Sequence, residues 1–224
     1  MNYYPIGLLV DGRRCLVVGG GRVAERKARG LIECGAKVTV VSPELTPGLV
    51  ALQSDGLITW EPRGYLPGDA KDFFLVMAAT DDPAVQNQVQ FDAVHYNILL
   101  NVADVPEKCN FILPALLRRG ALTVAVSTSG KSPALAKKLR HEIEAWLGPQ
   151  YEIAIEVLGL LRPYVLAWQL PQPENEKIFQ GLIDQGIVEV ASQGDLPVLL
   201  SFLEQKLARV VPPELVRQLK KLMP

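Results

Sequence analysis

A run of three glycines directly after a short apolar strand is the feature that most restricts the fold of this chain. Cys15-Leu-Val-Val is followed by Gly19-Gly-Gly21, and a helical pattern then extends from Val23 to Glu33. A second, β-branched strand at 37–41 completes a strand–helix–strand unit of about 30 residues. In this context a glycine turn predicts a dinucleotide site, because the backbone can approach a pyrophosphate and the helix N-terminus offers free N–H groups.

The rest of the first half continues the alternation of strands and helices. Apolar runs near 58–60, 73–79 and 98–102 alternate with helical patterns at 47–54 and 83–95. This order predicts a parallel, doubly wound sheet. After residue 104 the alternation stops: a strand at 122–126 precedes a helix from 133 to 147, and the remaining patterns are helical. We therefore predict an α/β protein with an N-terminal Rossmann-type domain (1–110), a strand–helix segment (111–148) and a helical C-terminal domain (149–224).

Polar residues follow the predicted strands at the edge where such sheets bind ligands. Glu44 comes shortly after the second strand and is a candidate for the cofactor ribose, since the strand itself ends in Val41-Ser42 without a carboxylate. Thr80 follows the fourth strand, and Asp104 follows the fifth. A carboxylate at the position of Asp104 could act as a general base, although an ordinary loop carboxylate is an equal alternative on position alone.

The charges are segregated although the net charge is only −1. The stretch 108–141 holds seven basic residues and no acidic one. Such a stretch predicts a site for a polyanion or for an acidic partner, with a solvated helix face as the alternative. The net charge argues against nucleic acid as the main partner.

The amino-acid composition further restricts the class of protein that this chain can be. Hydrophobic residues make up 49% and charged residues 21%, which is typical of a folded, soluble protein. No apolar run approaches the roughly 20 residues that a membrane span requires. The three cysteines show neither metal-binding spacing nor an even count, so we expect a reducing cytoplasm, no disulfide and no bound metal.

Several motifs, taken in order, resemble the precorrin-2 dehydrogenase module of siroheme synthases. They are Pro5-Ile, the segment from Cys15 to Arg29, Ala78-Ala-Thr-Asp-Asp82, Asn101-Val-Ala-Asp104, Phe111-Ile-Leu-Pro114 and the segment from Val124 to Ala136. The resemblance spans about residues 1–148, and its specificity lies in the combination. The methyltransferase domain that some siroheme synthases carry is not expected, because residues 149–224 are too few to form it.

The resemblance implies an enzyme that uses NAD to oxidise precorrin-2 to sirohydrochlorin, and a homodimer built through the segment 111–148. It places nucleotide contacts on the glycine turn and the loop after the second strand, and the essential carboxylate on Asp104. The nucleotide contacts are Gly19, Gly21, Arg22, Val23, Pro43 and Glu44, to which we add Thr80. A hydroxyl-rich loop carries over as Ser127, Thr128, Ser129 and Gly130, with Thr128 where many relatives have serine.

The implied substrate carries eight carboxylates, which agrees with the acid-free basic stretch. Its candidate contacts are Arg118, Arg119, Lys131, Lys137, Lys138 and Arg140. Some similar modules also insert ferrous iron, and the resemblance leaves this activity open, with Asp104 and His141 as candidate participants. The alternative to an enzyme is a non-catalytic NAD(H) sensor, since isolated NAD-binding folds also serve that purpose.

Overall fold

A computed structural model describes residues 3–223 of the chain. It divides the chain into two compact units, one ending at Leu113 and the other beginning at Pro114. The three-part division with boundaries at 110 and 148 stays a prediction. No helix formed by the described residues is long and apolar enough to cross a membrane.

The first unit is built on five parallel strands. They are β1 (Arg14–Val18), β2 (Lys37–Val41), β3 (Ile58–Glu61), β4 (Leu75–Ala78) and β5 (Leu99–Val102). Their order across the sheet is β3-β2-β1-β4-β5. This order equals the first five strands of the Rossmann order, so the predicted α/β fold with a Rossmann-type sheet is confirmed. Every residue of β4 is buried, as expected for a central strand covered on both faces.

Three helices cover the two faces of the sheet. They are α1 (Arg22–Ile32), α2 (Pro47–Ser54) and α3 (Pro83–His95). Alternate strand residues point to opposite sides: Val17 belongs to the core under α1 and α2, whereas Leu16 belongs to the core under α3. Thr46 and Asp82 cap α2 and α3 through their side chains, and each helix then starts with proline.

The segment after β5 turns back along the outer edge of the sheet. A short 3-10 helix spans Pro106–Lys108. Beyond it, Asn110 N donates to Leu100 O at 3.0 Å. The Asn110 side chain accepts from Leu100 N at 2.7 Å and donates to Ile98 O at 2.8 Å. One asparagine therefore occupies the place of a further strand beside β5.

The second unit combines a two-stranded hairpin with helices. Strands β6 (Ala115–Arg119) and β7 (Leu122–Val126) pair antiparallel. The helices are α4 (Pro133–Trp146), α5 (Gln150–Leu166), α6 (Gln172–Asp184), α7 (Ile187–Ser192), α8 (Leu196–Leu207) and α9 (Pro213–Leu222). Helices α5 to α9 share one core, in which Val157, Leu199 and Leu203 are fully buried. The sequence predicted β7 and most of the helices, but not β6 or α7.

Candidate functional site

Four loops meet at the carboxyl edge of the sheet, because the strands that precede them are parallel. Gly19 N donates to Val41 O at 2.9 Å, and Ala79 N donates to Val18 O at 2.8 Å, which ties the loops after β1, β2 and β4 together. Asp104 follows β5 at the same edge. The structure thus brings together the glycine turn, Thr80 and Asp104, and their roles in binding and catalysis stay predictions.

The three glycines of the turn have different structural roles. Gly19 has a φ of +115°, and a Cβ there would lie 2.3 Å from Ala79 O. A Cβ on Gly20 would lie 1.8 Å from Glu44 O. At Gly21 a Cβ would meet none of the described atoms within 4 Å. Gly19 and Gly20 therefore allow backbones to pack, and Gly21 leaves open space that a ligand could use. Sequence reasoning assigned no role to Gly20.

The open space at Gly21 adjoins the start of α1. Gly21 is the N-cap residue, and among residues 3–223 no side chain caps this helix. The N–H groups of the first turn are therefore available to an anion, which fits the pyrophosphate of a dinucleotide. Arg22 is exposed and Val23 is half-buried at the beginning of the helix, whereas Ala24 is fully buried against the sheet.

Hydrogen bonds that involve its backbone hold the loop after β2 in place. Thr46 N donates to Gly20 O at 2.9 Å, and the indole of Trp60 donates to Ser42 O at 2.9 Å. Pro43 and Glu44 are both exposed. The Glu44 side chain therefore stands in solvent beside the glycine turn, at the strand end where a ribose-binding carboxylate is expected.

Glu25 links α1 to the start of α2, a role that sequence reasoning missed. The hydroxyl of Thr46 donates to Glu25 Oε2 at 2.7 Å, and Arg29 Nη2 donates to Oε1 at 2.8 Å. These two donors, the Thr46 hydroxyl first, hold the pKa of Glu25 below its usual value. The Glu25 carboxylate lies against Gly48, where a Cβ would come within 2.0 Å of it. Glu25 and Thr46 are 21 residues apart, so no local sequence pattern predicts their contact.

Thr80 is held by two neighbouring side chains. Its hydroxyl accepts from Asp82 N at 3.2 Å, and its carbonyl accepts from Gln86 Nε2 at 2.8 Å. Gln86 is buried, and its amide oxygen accepts from Lys108 Nζ at 3.2 Å. The carboxylate of Asp82 accepts from the N–H groups of residues 84 and 85, so it serves as the cap of α3.

Asp104 lies on a turn in left-handed backbone conformation, with a φ of +59°. Aspartate is among the few residues other than glycine that adopt this conformation without a large cost. Its side chain is exposed. The thiol of Cys109 closes the turn, because Sγ accepts from Val102 N at 3.1 Å and lies 3.3 Å from Val102 O. An exposed carboxylate on a fixed turn suits a group that exchanges a proton with a ligand.

In the second unit, hydroxyls of the serine loop bond to the loop itself. Ser127 Oγ accepts from Ser129 N at 3.1 Å, and Thr128 Oγ1 accepts from Ser132 N at 3.0 Å. Ser132 caps α4. Ser129 and Gly130 have φ values of +53° and +80°. The loop is thus a tight, self-bonded entry to α4, and Ser129 places the third hydroxyl on its exposed surface.

The basic residues of the same unit differ in what they contact. Arg140 Nη1 donates to Glu144 Oε2 at 2.6 Å, and Lys138 Nζ lies 3.6 Å from Glu142 Oε1. Arg119 Nη2 donates to the backbone carbonyl of Glu144 at 3.2 Å. The acid-free stretch is therefore partly neutralised by the two carboxylates that follow it directly. Arg118, Lys131 and Lys137 are exposed.

Neither histidine belongs to a metal-binding cluster. His95 stacks on Phe91, and His141 lies 3.6 Å from a single carboxylate, that of Glu144. Within residues 3–223, no group of three or more His, Cys, Asp or Glu side chains is arranged to hold a metal ion.

Two segments of the chain match known protein families. Residues 6–115 match a family described as NAD(P)-binding. Residues 119–145 match the central region of sirohaem biosynthesis proteins. The two matches follow one another along the chain and include both the glycine turn and the serine loop.

Similar proteins of known name agree with these matches. The chain is 38% identical over 215 residues to a siroheme synthase of Azotobacter vinelandii, covering 95% of this chain and 46% of that protein. It is 41% identical over 184 residues to siroheme synthase 3 of Aeromonas hydrophila, covering 82% of this chain and 39% of that one. The chain therefore spans less than half the length of these relatives.

A solved structure matches over nearly the whole chain. It is SirC, a precorrin-2 dehydrogenase, at 26% identity and a TM-score of 0.77. The match covers 92% of this chain and 100% of SirC. With both family segments present in order, and with relatives aligned over up to 95% of its length, the chain resembles the precorrin-2 dehydrogenase module of siroheme synthases.

Proposed function

We propose that this chain oxidises precorrin-2 to sirohydrochlorin with NAD as the hydride acceptor, in the biosynthesis of siroheme or a related tetrapyrrole. The observation that carries the proposal is the match to SirC, a precorrin-2 dehydrogenase whose whole length is covered. The open glycine turn and the exposed carboxylate at the same edge of the sheet support it chemically.

NAD, when bound, supplies the redox chemistry by accepting a hydride. The chain contributes a place for the pyrophosphate, at Gly21 and the uncapped start of α1. Oxidation of the macrocycle also releases a proton for each hydride transferred. Asp104 takes this proton, so that one C–H bond breaks toward the cofactor and one proton goes to the carboxylate.

The cofactor is NAD rather than NADP. A 2′-phosphate on the ribose would meet the negative charge of Glu44, which is exposed beside the glycine turn. No Lys or Arg occurs between Lys37 and Arg63 to receive such a phosphate. The cation that adjoins the glycine turn is Arg22, the first residue of α1.

The second unit binds the carboxylates of the substrate. Lys131 and Lys137 are exposed and carry positive charge near the serine loop, and Arg118 is exposed on β6. Lysine and arginine at such positions attract a polyanion and form charge-assisted hydrogen bonds to its carboxylates. Arg119, Lys138 and Arg140 already have partners on α4, so they contribute mainly to the local potential.

The protein functions as a homodimer, joined through the hairpin and α4. Leu135, Leu139 and Trp146 lie on one stripe of α4 and are 47%, 37% and 70% exposed, and Leu116 on β6 is 37% exposed. A second copy of the chain would remove this apolar surface from water. Light scattering of the purified protein should give twice the chain mass, and Leu139→Glu should lower it toward the monomer.

Turnover of precorrin-2 tests the function directly. Purified protein, precorrin-2 and NAD should produce NADH, seen as absorbance at 340 nm, together with the spectrum of sirohydrochlorin. NAD binding without turnover would instead support the NAD(H)-sensor alternative. Growth of a siroheme-deficient cell that expresses the chain is the corresponding test in vivo.

A further inference from the structure

A lysine occupies a position on the buried side of α1. The helix buries Ala24, Ala28 and Leu31, which share one stripe by their spacing. Lys27 lies three residues after Ala24 and four before Leu31, so the same stripe includes it. A charge on such a stripe is costly unless it has a partner that compensates for lost water. Apolar packing alone therefore does not account for a lysine at this position.

The partner of Lys27 is a buried amide on β5. Lys27 Nζ donates to Asn101 Oδ1 at 2.6 Å, a bond between residues 74 positions apart. Asn101 is only 8% exposed. Its Nδ2 donates to Phe111 O at 3.2 Å and lies 3.7 Å from the sulfur of Cys109. The bond therefore joins α1 to both sides of the loop that starts at Val102 and ends at Cys109.

That loop carries Asp104. Its two ends are held together by the Cys109 thiol, which bonds to the backbone of Val102, and by Asn101, which bonds to the carbonyl beyond Cys109. The anchor of Asn101 on the opposite side is Lys27. A change at Lys27 should thus reach Asp104 through one intermediate side chain.

Electrostatics connect the same groups. Burial lowers the pKa of Lys27 and the neighbouring charge of Arg26 adds to this effect, while Cys109 and Asp104 oppose it. The titratable groups that act on the lysine are therefore Arg26 on its own helix and the two residues of the loop.

We propose that Lys27 is a positioning residue for the dehydrogenase reaction: it anchors Asn101, and with it the 102–109 loop that carries Asp104. This inference rests on the proposed function, because it assigns Asp104 the role of base. Lys27 itself need not touch the substrate.

The first test compares Lys27→Met with Lys71→Met, a matched control at an exposed lysine of the same unit. Lys27→Met should lower kcat by about 10–100-fold, as expected for a misplaced catalytic group, with the KM for NAD changed by less than about threefold. Lys71→Met should match the wild type, and an unchanged kcat in Lys27→Met would overturn the proposal.

Two further variants test the anchor itself. Lys27→Arg keeps the charge and a donor, so it should recover most of the lost kcat. Lys27→Gln removes the charge but keeps a donor for Asn101, so it should preserve the loop and also recover part of the lost kcat. In the double variant Lys27→Met/Asp104→Asn, turnover should be no lower than in Asp104→Asn alone, because both changes act on one group. Full additivity would show that Lys27 acts elsewhere.

Hydrogen–deuterium exchange gives a measure that does not depend on activity. Amides of residues 100–111 should exchange at least about tenfold faster in Lys27→Met, and unchanged in Lys71→Met and Lys27→Gln. If the wild type fails to oxidise precorrin-2, the proposed function is wrong, and this measurement still decides whether Lys27 anchors the loop. Equal exchange in all variants would refute the anchoring.

Discussion

The backbone carbonyl of Glu44 lies so close to Gly20 that a Cβ on Gly20 would be 1.8 Å from its oxygen. The middle glycine of the turn is therefore a packing residue that brings the end of β2 against the end of β1. Its neighbour Gly21 faces open space. The two adjacent glycines should thus respond differently to the same substitution.

Gly20→Ala should destabilise the first unit by about 1–3 kcal/mol or more, because the added methyl has to displace backbone. Gly21→Ala should leave thermal stability nearly unchanged but weaken NAD binding by about tenfold or more, because the methyl occupies space next to the phosphates. Thermal melts and NAD titrations of both variants measure the two effects. Equal melting temperatures for the two would contradict the packing role of Gly20.

Asp104→Asn keeps the shape of the side chain and removes its negative charge. NAD should bind as in the wild type, whereas precorrin-2 turnover should drop by about 10²–10⁴-fold, the range expected for loss of a general base. Calorimetric NAD titration and NADH absorbance give the two numbers on one preparation. Near-normal turnover would remove Asp104 from the mechanism.

NAD should be preferred to NADP by at least about tenfold in kcat/KM, because Glu44 repels a 2′-phosphate. Glu44→Ala should reduce this preference. Asp55→Ala, at an exposed carboxylate after α2, removes the same charge away from the turn and should leave the preference unchanged. Equal efficiency with both cofactors in the wild type would show that Glu44 does not face the ribose.

Replacing Lys137 and Lys138 with alanine should raise the KM for precorrin-2, with a smaller effect in high salt, where ions screen the attraction. Lys137 should contribute more, since Lys138 lies near Glu142. The pair Lys220 and Lys221 on α9 offers a control with the same change of charge. If both double variants behave alike, Lys137 and Lys138 belong to a solvated helix face.

Glu25→Gln should lower thermal stability above pH about 4.5, the ordinary pKa of this side chain, and have little effect at lower pH. The pKa of Glu25 is lowered in the folded protein, so its contribution is present above the unfolded-state value and is lost as pH falls through the folded one. Melting temperatures of both proteins between pH 3 and 8 test this. A difference that persists unchanged at pH 3 would assign the effect to packing alone.

The sequence predicted the first unit well because its signals are local. Strand β2 and helix α2 have the predicted bounds, and proline after Thr46 or Asp82 marks two helix starts correctly. Strand β6 was missed, since it follows Pro114 and ends in two arginines that hide the apolar alternation. Helix α7, only six residues long, is too short to show a period.

The candidate site was predicted less completely. The loops at the carboxyl edge follow from topology, so Gly19, Gly21 and Asp104 could be named in advance. Contacts between distant residues could not, because the bond of Lys27 to Asn101 joins positions 74 apart. One signal was present all the same: a lysine at the helical spacing of the buried alanines.

The side-chain bonds of Asn110 and Cys109 also have a consequence for the behaviour of the protein in concentrated solution. The outer edge of β5 would otherwise present free N–H and C=O groups, which recruit strands of other molecules into aggregates. Asn110 bonds to the carbonyl of Ile98 and to both groups of Leu100, and the Cys109 thiol bonds to both groups of Val102. Two residues thereby cover one edge of the sheet in place of another strand.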